Sequence, residues 1–255
     1  MSDTLNHPAA NEPVIAVRNL QKAFGKDAVL TDLSLDLFKG ENLVVLGKSG
    51  SGKSVLIKLI VGLLIADGGK IQVFGEEVTT MGRADLAAIR LKVGFLFQGG
   101  ALYDSMSVRE NLEFPLRRLR KNLTERQIKA KIAEVLENVG LTSALEKMPS
   151  QLSGGMKKRI GLARTIVVDP LIMLYDEPTT GLDPTTSNEI SSLMLEIQQK
   201  YKTSSIIITH DIACAKKVAN RLVMLKDGAV YKEGPLAGFE DSEDKIIQSF
   251  FRSVD

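Results

Sequence analysis

Three short runs built almost wholly from Val, Ile, Leu and Met constrain this chain most: NLVVL at 42–46, LIML at 171–174 and SSIII at 204–208. None alternates apolar with polar residues, so each has both faces in the interior, the pattern of strands in a parallel sheet covered on both sides. Parallel neighbours need long crossovers, and the helical patterns at 53–65, 185–200 and 211–219 supply them. Further strand signals are VIAV at 14–17, KIQVFG at 70–75, VGFLFQ at 93–98 and RLVMLKDG at 221–228. The period-two run LSLDL at 33–37 and the Asp227-Gly228 pair read differently, as antiparallel edge elements, the second a tight hairpin.

Between residues 99 and 164 strand signals give way to helix signals. SVREN at 107–111 opens one helix, and LTERQIKAKIAEVLENVGL at 123–141 forms an amphipathic second, so this block is expected as an inserted helical subdomain. The expected domain spans 14–236. Residues 237–255 form an amphipathic helix in which Ser242 is the cap and Ile246, Ile247, Phe250 and Phe251 pair at helical spacing. That cluster is expected to dock on its own subunit or a neighbour. Residues 1–13, with Pro8, Pro13 and the idle His7, read as a disordered tail.

Composition excludes several classes. With 33 basic and 31 acidic residues, the chain has no broad positive field, which argues against nucleic acid as a partner. No run reaches the roughly 18 apolar residues of a spanning helix, and the first residues are too polar for a signal peptide, so a cytosolic place is expected. Cys214, the single cysteine, reads as a small buried residue of a reducing compartment.

The chemistry starts at Gly47-Lys48-Ser49-Gly50-Ser51-Gly52-Lys53-Ser54, a GxxxxGK[ST] loop that follows a strand and opens a helix. Its glycines let the backbone curl, so that N–H groups and the positive helix end hold phosphate oxygens. Lys53 would reach the outer phosphates, and Ser54 would ligate magnesium. A second apolar strand ends in Asp176-Glu177-Pro178, where open α/β sheets bind ligands. Asp176 then suits the magnesium shell, and Glu177 suits a base for an attacking water.

Four more segments complete a pattern: Gln98 after VGFLF, Leu152-Ser153-Gly154-Gly155, Gly181-Leu182-Asp183, and Thr209-His210-Asp211. In this order the motifs resemble the ATP-binding-cassette (ABC) ATPases. Alone, Ser-Gly-Gly would be an ordinary helix-start loop, Gln98 a surface glutamine at a strand end, and His210 a structural residue. The resemblance implies an α/β fold, a P-loop NTPase (RecA-like) core with an antiparallel β subdomain and the inserted helical subdomain. It implies ATP and Mg2+ as ligands, with Ser54, Gln98 and Asp176 at the metal and Glu177, Gln98 and His210 in hydrolysis. It also implies a dimer, in which Ser153 and the N–H groups of Gly154 and Gly155 meet ATP held by the other copy, near Asp183. Phe24 is similar to the aromatic that stacks on adenine, though a core role fits it equally. Met156 departs from the family pattern, which has Gln there.

Residues 97–108, with Glu110-Asn111 and Phe114-Pro115-Leu116, resemble a narrower group: ATPases of lipid transporters that carry mammalian-cell-entry (MCE) domain proteins, including the maintenance-of-lipid-asymmetry system. That likeness implies a phospholipid cargo, a membrane permease contacting Gly99 to Ser107, a periplasmic MCE protein, sometimes a STAS-domain protein, and a place on the cytoplasmic face of the inner membrane. The basic run Arg117, Arg118, Arg120 and Lys121 fits a solvated helix face, or else a contact with acidic headgroups or a permease loop. A non-transport ABC protein acting on nucleic acid or the ribosome is the rival; the chain shows neither a second cassette nor a coiled-coil insertion.

Overall fold

The computed structural model describes residues 12–120 and 122–251. The expectations for the tail before Glu12, for Lys121 and for the last four residues lie outside them.

The described residues form one ten-stranded sheet. β1 (Ile15–Phe24) and β2 (Asp27–Leu37) are antiparallel, and β1 also pairs with β4 (Gly68–Val73), which carries the two-residue β5 (Glu76–Glu77). The remaining strands are β3 (Asn42–Leu46), β6 (Val93–Leu96), β7 (Ile172–Asp176), β8 (Ser204–Ile208), β9 (Arg221–Lys226) and β10 (Ala229–Gly234), in the order β5-β4-β1-β2-β10-β9-β3-β8-β7-β6. From β9 to β6 every pairing is parallel.

All five residues of β3, of β7 and of β8 are buried, including the polar Asn42, Asp176, Ser204 and Ser205 at their ends. Successive side chains serve two cores. Val44, Leu46, Met173, Tyr175 and Ile207 face one, whereas Leu43, Val45, Ile172, Leu174 and Ile206 face the other. The crossovers are α1 (Lys53–Ile60), α2 (Arg83–Lys92), α6 (Pro184–Tyr201) and α7 (Ile212–Val218).

Three expectations need correction. LSLDL lies within β2, which is interior: β10 joins its far side through Ala229 and Asp32, and Thr31 N donates to Gly228 O at 3.0 Å. Glycine at 228 permits this, because a Cβ there would stand 2.7 Å from Val29 O. Helix α1 stops at Ile60 rather than 65, since Gly62 is left-handed (φ 64°) and Leu63 N turns back to Lys58 O at 2.8 Å, a Schellman-type end. The C-terminal stretch holds two helices, α8 (Leu236–Glu240) and α9 (Lys245–Phe251), instead of one. Asp244, not Ser242, caps the second, its Oδ1 accepting from Ile246 N at 2.8 Å. Helix α9 docks on its own chain: Ile247 is buried, and the Phe239 and Phe251 rings are 6.1 Å apart.

Between β6 and β7 lie helices α3 (Val108–Leu119), α4 (Glu125–Asn138) and α5 (Gly154–Ile166). Ser107 with Glu110 and Thr124 with Gln127 form reciprocal capping boxes at α3 and α4. Two arginines of the basic run, both exposed, have partners. Arg117 pairs with Glu113 and Glu125, and Arg120 donates to Val168 O at 2.6 Å. Cys214 is buried as expected, its thiol pushed up to about 11 mainly by burial.

Asn111 fixes the approach to α3. Its buried amide donates to the carbonyls of Tyr103, Met106 and Ser107 and accepts from Tyr103 N at 2.8 Å. Asn111→Ala strands these backbone groups and should lower unfolding free energy by about 2–3 kcal/mol in urea titration. A loss below about 0.5 kcal/mol would show that the 103–107 turn stands without it.

Candidate active site

The carboxyl ends of β3, β7 and β8 meet at one rim of the sheet. Val45 and Asp176 both pair with Ile208, so the residues that follow each strand emerge side by side. After β3 the loop from Gly47 to Gly52 turns into α1. Gly47 must lack a side chain, because a Cβ would stand 2.5 Å from Ser51 Oγ and 2.8 Å from Leu225 O. Gly52 is left-handed (φ 95°) at the cap of α1.

Lys53 is buried at the start of α1, and its ammonium donates to the carbonyls of Gly47 at 2.7 Å and Lys48 at 2.9 Å. Burial holds its pKa below the usual lysine value, opposed by the charges of Glu177 and Asp176. Ser54 Oγ donates to Asp176 Oδ1 at 2.8 Å, which ties this loop to the end of β7.

Glu177 has a left-handed backbone (φ 51°), a conformation that costs a residue with a Cβ about 1–2 kcal/mol. The neighbours hold it there: its N–H donates to Ile208 O at 2.9 Å, and its Oε2 accepts from Thr180 Oγ1 at 3.0 Å. His210 Nδ1 lies 2.8 Å from the same oxygen. Lys158, from α5, donates to the backbone carbonyls of Gln98 and Glu177. Its pKa is also held low by burial, against the pull of the same two carboxylates.

A cavity of about 670 Å³ opens over this rim, lined by Gly47, Ser49, Gly50, Gly52, Lys53, Ser54, Gln98, Glu177 and His210, with Val29 and Phe250. Most residues expected at a nucleotide are thus together. Ser51 lines an adjoining cavity of about 460 Å³, and Asp176 sits behind Ser54. Phe24 is outside: it is 47% exposed, with Lys22 Nζ 5.4 Å from its ring, and Phe250 is the aromatic side chain on the cavity wall.

Ser153, Gly154, Gly155 and Asp183 are also elsewhere. Ser153 caps α5, its Oγ accepting from Met156 N at 3.3 Å. Asp183 caps α6 by accepting from Thr186 N and Oγ1, bonds that hold its carboxyl below the usual range. The two caps are packed together, since a Cβ on Gly155 would be 2.7 Å from Thr186 Cγ2. Met156, the departure from the family pattern, rests partly buried on the helical core.

Residues 30–180 match the ABC transporter family model. The chain belongs to this family. The glutamate/aspartate import ATP-binding protein GltL of Escherichia coli (strain K12) is 39% identical over 242 residues, covering 94% of this chain and 99% of its own. The methionine import ATP-binding protein MetN of Brucella abortus (strain 2308) is 34% identical over 246 residues, 96% of this chain, which spans 66% of MetN. Among solved structures, a dimeric ATP-binding cassette in a post-hydrolysis state with ADP and Pi matches at 30% identity and a TM-score of 0.79, over 87% of this chain and 98% of that one.

This ABC cassette is an ATPase that works with ATP and Mg2+. The residues present fit both. Ser51 Oγ is buried in the phosphate loop without a hydrogen-bond partner in the protein, and Ser54 with Asp176 offers the hard oxygen donors magnesium takes.

Sequence reasoning missed Thr180, Lys158 and Phe250. The first lies two residues from Pro178 and was visible only as part of a turn; the other two come to the site from α5 and α9, which no local signal places there.

Gly52→Ala should lower stability by about 1–2 kcal/mol, because it forces an alanine into a left-handed cap with its Cβ 2.5 Å from Leu30 Cδ2. Calorimetry should show weaker ATP binding in the same variant. Unchanged melting and unchanged affinity would mean that the loop has room this geometry denies it.

Proposed function

We propose that this chain is the motor of a membrane transporter, in which two copies close on ATP and the movement drives a permease. The carrying observation is the split between two phosphate-binding features. Lys53, Ser54, Glu177 and His210 share one cavity, whereas Ser153, Gly154 and Gly155 begin a helix that does not line it. A second copy would bring the latter to the former.

In this reading the loop N–H groups and Lys53 hold the phosphates, and Lys53 exchanges its carbonyl partners for phosphate oxygens. Magnesium, when bound by Ser54, Asp176 and Gln98, neutralises phosphate charge. Glu177 accepts the proton of a water as that water's oxygen bonds to the γ-phosphorus and the bond to ADP breaks. His210 and Thr180 hold the carboxylate in line. Asp183 orders the start of α6 beside the signature.

The permease follows from the absence of a spanning helix among the described residues of a protein in a transporter family. For the cargo, the resemblance carried by residues 97–116 supports phospholipid, moved by a complex with a periplasmic MCE protein and, in some such systems, a STAS-domain protein, with this ATPase on the cytoplasmic face of the inner membrane. The names of GltL and MetN favour a second reading, amino-acid import. Purification from native membranes distinguishes the two: a permease with an MCE protein and bound phospholipid supports the first, and a permease with an amino-acid-binding protein supports the second.

Glu177→Gln keeps the shape of the site and removes the base. It should bind ATP within about threefold of wild type, hydrolyse it at least about 100-fold more slowly, and accumulate as a dimer in gel filtration with Mg-ATP. Turnover at the wild-type rate would remove Glu177 from the reaction.

A further inference from the structure

We propose that Lys158 is a positioning residue for hydrolysis: its buried ammonium, reaching from the signature helix to the backbone carbonyls of Gln98 and Glu177, sets where those two side chains stand. This rests on the role given above to Glu177.

Lys158 is 6% exposed and does not line the nucleotide cavity. Among the described residues no carboxylate lies within bonding distance of its ammonium, which donates to Gln98 O and, at 3.2 Å, to Glu177 O. A buried cation held by carbonyls is a poor stabilising device, since desolvation is large and an apolar side chain of equal length would pack there more cheaply. Its use is geometric. Gln98 and Glu177 each follow a strand, and those strands are parallel neighbours paired at Leu96 and Tyr175. One ammonium across both exits fixes them relative to each other.

The carbonyl of Glu177 has its direction because the residue is left-handed, with φ 51°. Released from Lys158, that peptide can relax toward ordinary backbone angles and swing the carboxylate away. The lysine is also held firmly at its own end. Gly161, one turn further along α5, lies so close to the loop after Gln98 that a Cβ would stand 2.8 Å from Gly100 O. Since α5 begins at Ser153-Gly154-Gly155, displacement of the signature moves Lys158 and thereby both carbonyls. Occupation of the signature in one place is then felt at the base in another.

The test uses the 255-residue chain with Mg-ATP and compares Lys158→Met, Lys158→Arg, Glu177→Gln and the double variant K158M/E177Q. ATP affinity, single-turnover hydrolysis and melting temperature are measured for each. Lys158→Met should keep ATP affinity within about threefold, lose at least about tenfold in hydrolysis rate, and be largely rescued by Lys158→Arg. In the Glu177→Gln background, removing Lys158 should cost no more than about twofold, because the group it positions is already gone. If Lys158→Met does not fold, Lys158→Gln is judged by the same criteria. Hydrolysis at the wild-type rate in the Met or Gln variant overturns the proposal. So does a parallel fall of affinity, rate and melting temperature that Arg does not rescue, which marks a purely structural lysine. An active Glu177→Gln would instead remove the underlying role of Glu177, whereas an inactive Glu177→Gln beside a normal Lys158→Met removes the role of Lys158 alone.

Discussion

The parallel pairing of β3, β8 and β7 is the constraint on which the site depends. Ile208 stands opposite both Val45 and Asp176, so the phosphate loop, the acidic pair and the Thr209-His210 turn leave the sheet on one line. The register is secured by the two cores. A one-residue slip of β3 would send Val44 and Leu46 to the face that needs Leu43 and Val45, and every contact on both sides would be lost. The bond from Ser54 to Asp176 then closes the rim, joining the first turn of α1 to the end of β7.

Charge at that rim is balanced within a small volume. The ammonium groups of Lys53 and Lys158 are both buried, both destabilised by burial, and both steadied by Asp176 and Glu177. They differ in what they face. Lys53 is on the cavity wall, where on the proposed reading phosphates would replace its backbone partners, whereas Lys158 lies behind the wall and donates to the carbonyls of Gln98 and Glu177. In the proposed mechanism the first meets the ligand and the second holds the groups that do.

Much of this was legible in sequence because it is local. NLVVL, LIML and SSIII suit doubly buried strands, Ser107 could be read as a helix start, and Gly47 to Ser54 carry their chemistry in eight consecutive residues. What failed was set by distant contacts. LSLDL alternates like an edge strand, yet it is interior because the hairpin at Gly228 returns against Thr31. The apolar pattern after Ile60 reads as more helix, and the left-handed Gly62 ends it. Phe250 reaches the cavity wall only through the docking of a short C-terminal helix. Lys158 shows nothing in sequence, since its importance lies in two backbone carbonyls from other parts of the chain.

The most direct measurement is the structure of the Glu177→Gln chain solved with Mg-ATP. It should show two copies, with each γ-phosphate between Lys53 of one and Ser153 of the other, and magnesium about 2.0–2.1 Å from Ser54 Oγ. ATP bound with its γ-phosphate against the same chain's Ser153, or a metal away from Ser54 and Asp176, would contradict the division of the site between two copies.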